Sequence, residues 1–253
     1  MKLELEGIKQ GYGHKVVVED IDMSVESGEV VTILGPNASG KSTLIKTICN
    51  ILKPMAGTIS IDGVCTSDVD RKEFAKIVGY VPQSTTFFGQ SSVYDSVLIG
   101  RIPHIEWSYS SEDINKAADA MVKLNIDSLY DRQVSQLSGG QVQRVALART
   151  LAQDPEFYIF DEPTSALDLR NQLDTLKMMR EIIKEKNVCM VMAMHDLNLA
   201  LRYSDKIMAL KDGRVYDFGP AKDVITEKMI KDVYGVDSEI IESHNGKFIY
   251  AFD

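Results

Sequence analysis

The run Val30-Val31-Thr32-Ile33-Leu34 is almost wholly β-branched, and it leads straight into Gly35-Pro36-Asn37-Ala38-Ser39-Gly40-Lys41-Ser42. Beyond it Leu44, Ile45, Ile48, Ile51 and Leu52 recur at helical spacing, and Lys53, Pro54 and Gly57 close that helix. A strand buried on both faces, a glycine-rich turn and a helix in immediate succession admit few folds. The turn fits G-x-x-x-x-G-K-[ST] in the strand-turn-helix setting that this motif requires. Glycines at 35 and 40 let backbone N–H groups curl around phosphate oxygens. The helix starting near Lys41 adds its positive dipole end. Lys41 then reaches β- and γ-phosphates, Ser42 offers a hydroxyl to Mg²⁺, and Thr43 gives further polar support. The alternative is a chance match on a tight turn. Even a true phosphate loop does not choose among kinases, GTPases and ATPases.

Two more runs, Phe157 to Phe160 and Val188 to Met194, are hydrophobic throughout, with Leu173, Leu176, Met179 and Ile183 at helical spacing between them. Buried strands alternating with helices predict an α/β fold with a parallel sheet. The start of the chain alternates instead, at Leu3, Leu5 and Ile8, then Val16 to Val18, then Ile21, Met23 and Val25, before a turn at Glu26-Ser27-Gly28-Glu29. Between about Ser84 and Ala152 comparable strands are missing. Ser110 to Asn125 and Gln141 to Gln153 read as helices of a subdomain inserted in the α/β core. After Gly219 a helical piece, Lys222 to Tyr234, precedes short alternating runs, Ser238 to Ile241 and Lys247 to Phe252. These flank Asn245-Gly246, a hairpin signal.

Composition removes whole classes. The 253 residues are 44% hydrophobic and 26% charged, ordinary for a globular chain and wrong for a disordered or fibrous one. A net charge of −9 lacks the basic footprint of a nucleic-acid binder. Cys49, Cys65 and Cys189 are odd in number and far apart, which points to buried thiols rather than zinc or disulfides. No apolar run approaches the roughly 18 residues of a membrane-crossing helix. The opening MKLELEGIKQ alternates and carries charge, unlike a signal peptide, so the expectation is a cytoplasmic protein.

Phe157-Tyr158-Ile159-Phe160 ends in Asp161-Glu162. In phosphate-loop enzymes an acid here helps to hold Mg²⁺, which suits Asp161. Glu162, one residue on, is placed to orient and polarise a water towards a γ-phosphate. Two solvated acids at a strand end are the alternative, weakened by the phosphate loop. An added acid with no acceptor substrate favours hydrolysis over transfer.

Leu137-Ser138-Gly139-Gly140-Gln141 is a glycine-rich turn feeding a helix. With the motifs above it resembles the signature sequence of ATP-binding cassette (ABC) ATPases, and the resemblance spans nearly the whole chain in the family's order. Tyr12 stands where the family stacks an aromatic on adenine. Gln83, in Gly79-Tyr80-Val81-Pro82-Gln83-Ser84, matches the glutamine loop. Ser165-Ala166-Leu167-Asp168 matches the loop after the catalytic acid, and His195 the switch histidine. The resemblance implies a P-loop NTPase core with a mainly parallel sheet, an N-terminal antiparallel β subdomain and an inserted α-helical subdomain. It makes 1–253 a single domain: 1–83 and 153–220 the nucleotide-binding core with its β subdomain, 84–152 the helical subdomain, 221–253 a C-terminal helix and hairpin.

The same resemblance implies the mechanism. Two copies associate head to tail, and each ATP, with Mg²⁺, lies between one phosphate loop and the partner's signature loop. Ser138 and Gly140, flanked by Gly139 and Gln141, contact the γ-phosphate held by the other copy. Gln83 senses Mg²⁺ and the attacking water, Glu162 is the general base, His195 contacts the γ-phosphate, and Asp168 connects the two sites. Bland alternatives stand beside these roles: Tyr12 as a strand-end aromatic, Gln83 as a loop residue, His195 as structural. Ala38 departs from the glycine of many members, and alanine disfavours positive φ, so phosphate binding is expected to go with a negative φ there.

The stretch between Lys41 and Leu137 has no room for the long coiled coil of chromosome and DNA-repair members. A lone cassette without membrane spans resembles the separate ATPase subunit of a prokaryotic importer. Tyr94 to His104, His195-Asp196-Leu197-Asn198-Leu199-Ala200 and the tail around Val233-Tyr234-Gly235-Val236 are similar to ATPases of iron-siderophore, haem and cobalamin uptake. The resemblance thus implies an integral membrane permease, an extracytoplasmic binding protein and a place on the inner face of the membrane, with no nucleic acid. Ser84 to His104 is the expected permease dock, with Phe87, Phe88, Val93, Tyr94 and Trp107 as anchors or, alternatively, as packing inside the helical subdomain. The rival readings are a soluble ATPase of an assembly system, such as iron–sulfur cluster biogenesis, and a regulatory module that binds ATP without turnover. The presence of both Glu162 and His195 argues against the second.

Overall fold

A computed structural model describes residues 1–83, 91–244 and 246–252. In chain order the elements are β1 (Lys2–Tyr12), β2 (Lys15–Glu26), β3 (Val30–Leu34), α1 (Lys41–Ile48), β4 (Ala56–Ile61), β5 (Val64–Cys65), α2 (Arg71–Ile77), β6 (Val78–Val81), α3 (Val93–Leu98), α4 (Ser111–Lys123) and α5 (Gly139–Gln153). There follow β7 (Phe157–Asp161), α6 (Leu169–Lys186), β8 (Cys189–Ala193), α7 (Leu197–Tyr203), β9 (Lys206–Lys211), β10 (Arg214–Pro220), α8 (Ala221–Val224), α9 (Glu227–Tyr234), β11 (Asp237–Ser243) and β12 (Gly246–Phe252). These fall into two compact units: residues 1–69 with those from 183 on, and residues 70–182.

The first unit holds an antiparallel sheet in the order β2-β1-β4-β5. Alternation builds it, with Leu3, Leu5 and Ile8 buried on β1 against Ile59 and Ile61 of β4. Gly57 is expected from the sequence to close the helix after Lys53 and Pro54. Gly57 instead lies inside β4 at φ 85, where a Cβ would meet the Gly7 carbonyl oxygen at 2.4 Å, so it serves the close approach to β1. The helix that was expected to run on through Leu52 stops at Ile48 because Asn50 turns left-handed, φ 56, leaving Ile51 exposed.

The same unit carries the wholly buried β3, parallel to β8 on one side and β9 on the other, with β10 antiparallel to β9. Asp212-Gly213, both at positive φ, close the β9–β10 hairpin. In the tail, Ile225-Thr226 splits the expected helix into α8 and α9, with the Thr226 hydroxyl accepting the Met229 N–H. β11 and β12 pair as an antiparallel hairpin, and Asn245 of its turn lies outside the described residues.

In the second unit β6 and β7 pair in parallel, Val78 opposite Phe157 and Val81 opposite Phe160. α2 and α5 pack on β6, and α3 and α4 pack on α5. α5 begins at Gly139, before the expected Gln141, because Ser138 caps it. A buried ion pair joins its neighbours: Arg101 Nε donates to Asp113 Oδ1 at 2.8 Å. Arg101 Nη1 also donates to the carbonyls of Ala152 (2.8 Å) and Gln153 (3.2 Å), which closes the C-terminal end of α5. Gly100 permits this, since a Cβ there would sit 2.1 Å from the Arg149 carbonyl oxygen. Burial would raise the Asp113 pKa, but the Ser110 backbone, the guanidinium and the Ser110 hydroxyl together hold it at about 2. Burial lowers that of His104, whose Nε2 lies 2.8 Å from the Gln153 oxygen.

Cys49 and Cys189 are buried thiols and Cys65 a half-buried one. Among the described residues no helix is long and apolar enough to cross a membrane.

Candidate nucleotide site

In the first unit the phosphate loop leaves the buried end of β3 and enters α1 at Lys41. Its glycines are forced by neighbours. A Cβ on Gly40, at φ 105, would fall 2.3 Å from Val18 Cγ1, and one on Gly35 would fall 2.5 Å from the Leu210 carbonyl oxygen. Gly40 is the N-cap and offers no side chain, so no capping side chain competes with an anion for the start of α1. Lys41 is buried and folds back across the loop, donating from Nζ to the carbonyls of Gly35 (2.8 Å) and Pro36 (3.0 Å). The Ser39 hydroxyl is buried without a hydrogen-bond partner. Pro36 and Ser42 are half-buried, Asn37 exposed, Thr43 buried. An uncapped helix start, a buried orphan hydroxyl and a lysine parked on carbonyls together fit a polyphosphate.

Ala38 corrects the expectation made for it. Its φ is +63, not negative. The loop is pinned at both ends by its glycines, and this geometry holds alanine in a region that costs about 1–2 kcal/mol.

Tyr12 ends β1 at the hairpin and is 52% exposed, a free ring face. His195 is exposed and follows β8, whose pairing with β3 continues where the Met194 N–H donates to the Ile33 carbonyl at 3.2 Å. This brings His195 to the sheet end that carries the phosphate loop. Asp196 next to it caps α7 by accepting the Leu199 N–H at 2.9 Å.

In the second unit Asp161 and Glu162 are buried at the end of β7, and Glu162 takes a left-handed φ of 54. Gln83 Nε2 donates to Glu162 Oε2 at 2.8 Å. The β6–β7 register explains this, because each residue lies two positions beyond the Val81–Phe160 pair. The loop that follows is gripped by two side chains which the sequence reading passed over. Gln143 Nε2, buried on α5, donates to the Pro163 carbonyl at 3.0 Å, and Gln172 Nε2 on α6 donates to that of Thr164 at 3.1 Å. Neither gave a periodic signal, since side-chain bonds to a distant backbone leave none.

Asp168 caps α6, accepting the Asn171 N–H (2.9 Å) and Nδ2 (2.8 Å), while Asn171 Oδ1 accepts from Arg144 Nη2 of α5. Ser138 and Gln141 cap α5 reciprocally, at 3.0 and 3.4 Å. Ser138 and Gly139 are exposed, and a Cβ on Gly139 would meet nothing; one on Gly140 would make ordinary contact at 3.4 Å.

Of the expected docking anchors, Val93 is fully buried, because it faces inward at the start of α3; it packs inside the unit. Tyr94 is half-buried, and Trp107 is 96% exposed. Phe87 and Phe88 lie outside the described residues. Nearby, a groove of about 530 Å³ is lined by Arg71, Lys72, Ala75, Ile102, Pro103 and Ile105.

This architecture and these motifs define a phosphate-loop ATPase. An ABC transporter family profile matches residues 18–165. An uncharacterised ABC transporter ATP-binding protein of Methanocaldococcus jannaschii is 46% identical over 240 residues, 95% of this chain and 94% of its own. The iron(3+)-hydroxamate import ATP-binding protein FhuC of Bacillus subtilis is 36% identical over 94% of this chain and 90% of its own. Among solved structures, an inward-facing ABC transporter described as of metal-chelate type superposes with a TM-score of 0.84 at 26% identity, over 99% of this chain and 96% of that one. A dimeric ATP-binding cassette in a post-hydrolysis state with ADP and Pi gives 0.78 at 29% identity, over 87% and 98%. The chain belongs to the ABC transporter family, as one of its ATP-binding, ATP-hydrolysing subunits.

Proposed function

We propose that this ATPase powers uptake through a separate membrane permease, of an iron chelate or a related metal-containing cofactor. The relatives in siderophore and hydroxamate import support that reading, as does the match to a transporter of metal-chelate type. The observation that carries the chemistry is the Gln83–Glu162 hydrogen bond, which puts the loop glutamine on the acid.

In this reading the N–H groups of the loop and of α1 take the phosphates, and Lys41 leaves its carbonyls to reach the β- and γ-phosphates. Ser42, Asp161 and Gln83 would hold Mg²⁺, which when bound would neutralise phosphate charge. Tyr12 stacks on adenine. Glu162 takes the proton from the attacking water, and Gln83 keeps its carboxylate aimed. His195 contacts the γ-phosphate. Ser138, Gly139, Gly140 and Gln141 of a second copy close over it, and Asp168 joins the two sites. The open space around Gly139 supports this, because among the described residues nothing lies within 4 Å of where a Cβ there would sit. ATP then holds the dimer together, and hydrolysis loosens it. An extracytoplasmic binding protein delivers the cargo to the permease, which keeps the chain at the inner membrane face. The groove lined by Ile102, Pro103 and Ile105 is the surface offered to that permease. The core of 1–83 and 153–220, the helical subdomain of 84–152 and the tail of 221–253 divide the labour.

Glu162→Gln is expected to keep ATP binding and to lower kcat by about 10²-fold or more, trapping an ATP-bound dimer. Near-parental turnover removes Glu162 as base. Purification from gently solubilised native membranes, read by mass spectrometry, tests transport. A multi-span permease in stoichiometric amount supports it; soluble assembly factors alone overturn it.

A further inference from the structure

The strand β12 is fastened to α7, the helix that starts two residues after His195. Asn198, in the first turn of α7, donates from Nδ2 to the Ile249 carbonyl at 3.2 Å and accepts the Ile249 N–H on Oδ1 at 2.6 Å. A side-chain amide thus stands in for a neighbouring strand. Ile249 is the side chain that β12 buries, while Phe248 and Tyr250 on either side face outward. On the other strand the Ile240 N–H donates to Glu227 Oε1 at 3.1 Å, and Lys231 pairs with Asp237 at 2.6 Å. Glu227 and Lys231 belong to α9, which buries Met229, Ile230 and Val233. At its end the Tyr234 hydroxyl faces the Gly35 backbone without closing a bond of ordinary geometry, and burial pushes its pKa up to about 12. One tail therefore reaches the helix that starts two residues after His195 and the first glycine of the phosphate loop.

We propose that the C-terminal hairpin, acting through Asn198, is a positioning device for His195. The inference rests on the reading of His195 as the γ-phosphate contact. His195 sits between Met194, pinned to Ile33, and Asp196, the cap of α7. α7 has seven residues, too short to hold a direction by itself, and it packs on β3 and β12. If β12 shifts, α7 tilts and carries His195 with it, whereas the phosphate loop keeps its own glycine-fixed shape. Asn198 is a positioning residue in this scheme; its amide touches backbone only.

The test is steady-state ATP hydrolysis by the full-length chain, with Asn198→Ala, Ile249→Ala, the double variant and His195→Ala. Asn198→Ala is expected to lower kcat about tenfold with KM for ATP within about twofold. Ile249→Ala, on the other side of the contact, should give the same split, and the double variant should be no slower than the worse single one. A merely structural role would instead lower the melting temperature and scale kcat with the folded fraction, and that result overturns the proposal. Parental kcat in both single variants, with His195→Ala inactive, overturns it too and leaves the reading of His195 standing. Parental kcat in His195→Ala overturns both.

Discussion

Two glycine-rich turns in this chain feed helices, and they differ in why the glycines are there. In the phosphate loop the chain itself demands them: a Cβ at Gly40 would press on Val18, and one at Gly35 on the Leu210 carbonyl. In the signature turn no described residue comes within 4 Å of a Cβ on Gly139, and Ser138 with Gln141 has already capped α5. The first loop is shaped from inside. The second is finished as structure and still spends a glycine on an exposed helix start, where alanine would serve the helix better. A glycine with open space around its Cβ position leaves room for something else to approach closely.

The difference can be broken by substitution. Gly40→Ala should cost roughly 2–4 kcal/mol, combining overpacking on Val18 with left-handed strain, and should abolish ATP binding. Thermal unfolding and nucleotide titration check this. Gly139→Ala should leave stability within about 0.5 kcal/mol and leave ATP binding by the dilute chain unchanged, while kcat drops by about tenfold or more. Full turnover in Gly139→Ala would return that glycine to chance. Ala38→Gly relieves a left-handed alanine at the tip of the first loop and should add up to about 1 kcal/mol of stability without altering ATP affinity.

The other end of α5 offers a local, pH-dependent effect. There Arg101 closes the helix and Asp113 neutralises Arg101. The Asp113 carboxyl titrates at about 2, below its ordinary 3.8. Its contribution is therefore present above pH ~4 and is lost as the pH falls towards about 2. The stability gap between the parent and Asp113→Asn should close across that window in urea titrations, and a gap independent of pH would contradict the assignment.

The sequence made β3, the phosphate loop and α1 legible because the hydrophobic period switches from strand to helix across contiguous residues. It also made the α/β class legible, through the unbroken runs of β7 and β8. Short strands were harder. β6 has four residues, is interrupted by Gly79 and is followed by Pro82, so its pairing with β7 gave no sign. That pairing is what brings Gln83 to Glu162. β4 was hidden because Gly57 reads equally as a helix stop and as a bulge. Asp62-Gly63 and Asp212-Gly213 were turn signals in plain view, and both close hairpins of the first unit. Arg101 with Asp113, and Gln143 with Pro163, join residues far apart in the chain, and no local pattern reports such bonds.

Trp107 is the chain's single tryptophan, and it stands almost wholly in solvent. Its indole fluorescence is therefore already at the wavelength of a solvated ring. Unfolding in denaturant will scarcely shift the emission, so intrinsic tryptophan fluorescence is a poor gauge of folding for this protein. If the proposed permease surface extends from Ile105 in the groove to Trp107, two residues on, docking would exclude water from the ring. Emission would then move to the blue, and the ring would become shielded from iodide quenching. A residue that is spectroscopically silent about folding would then serve as an optical reporter of docking.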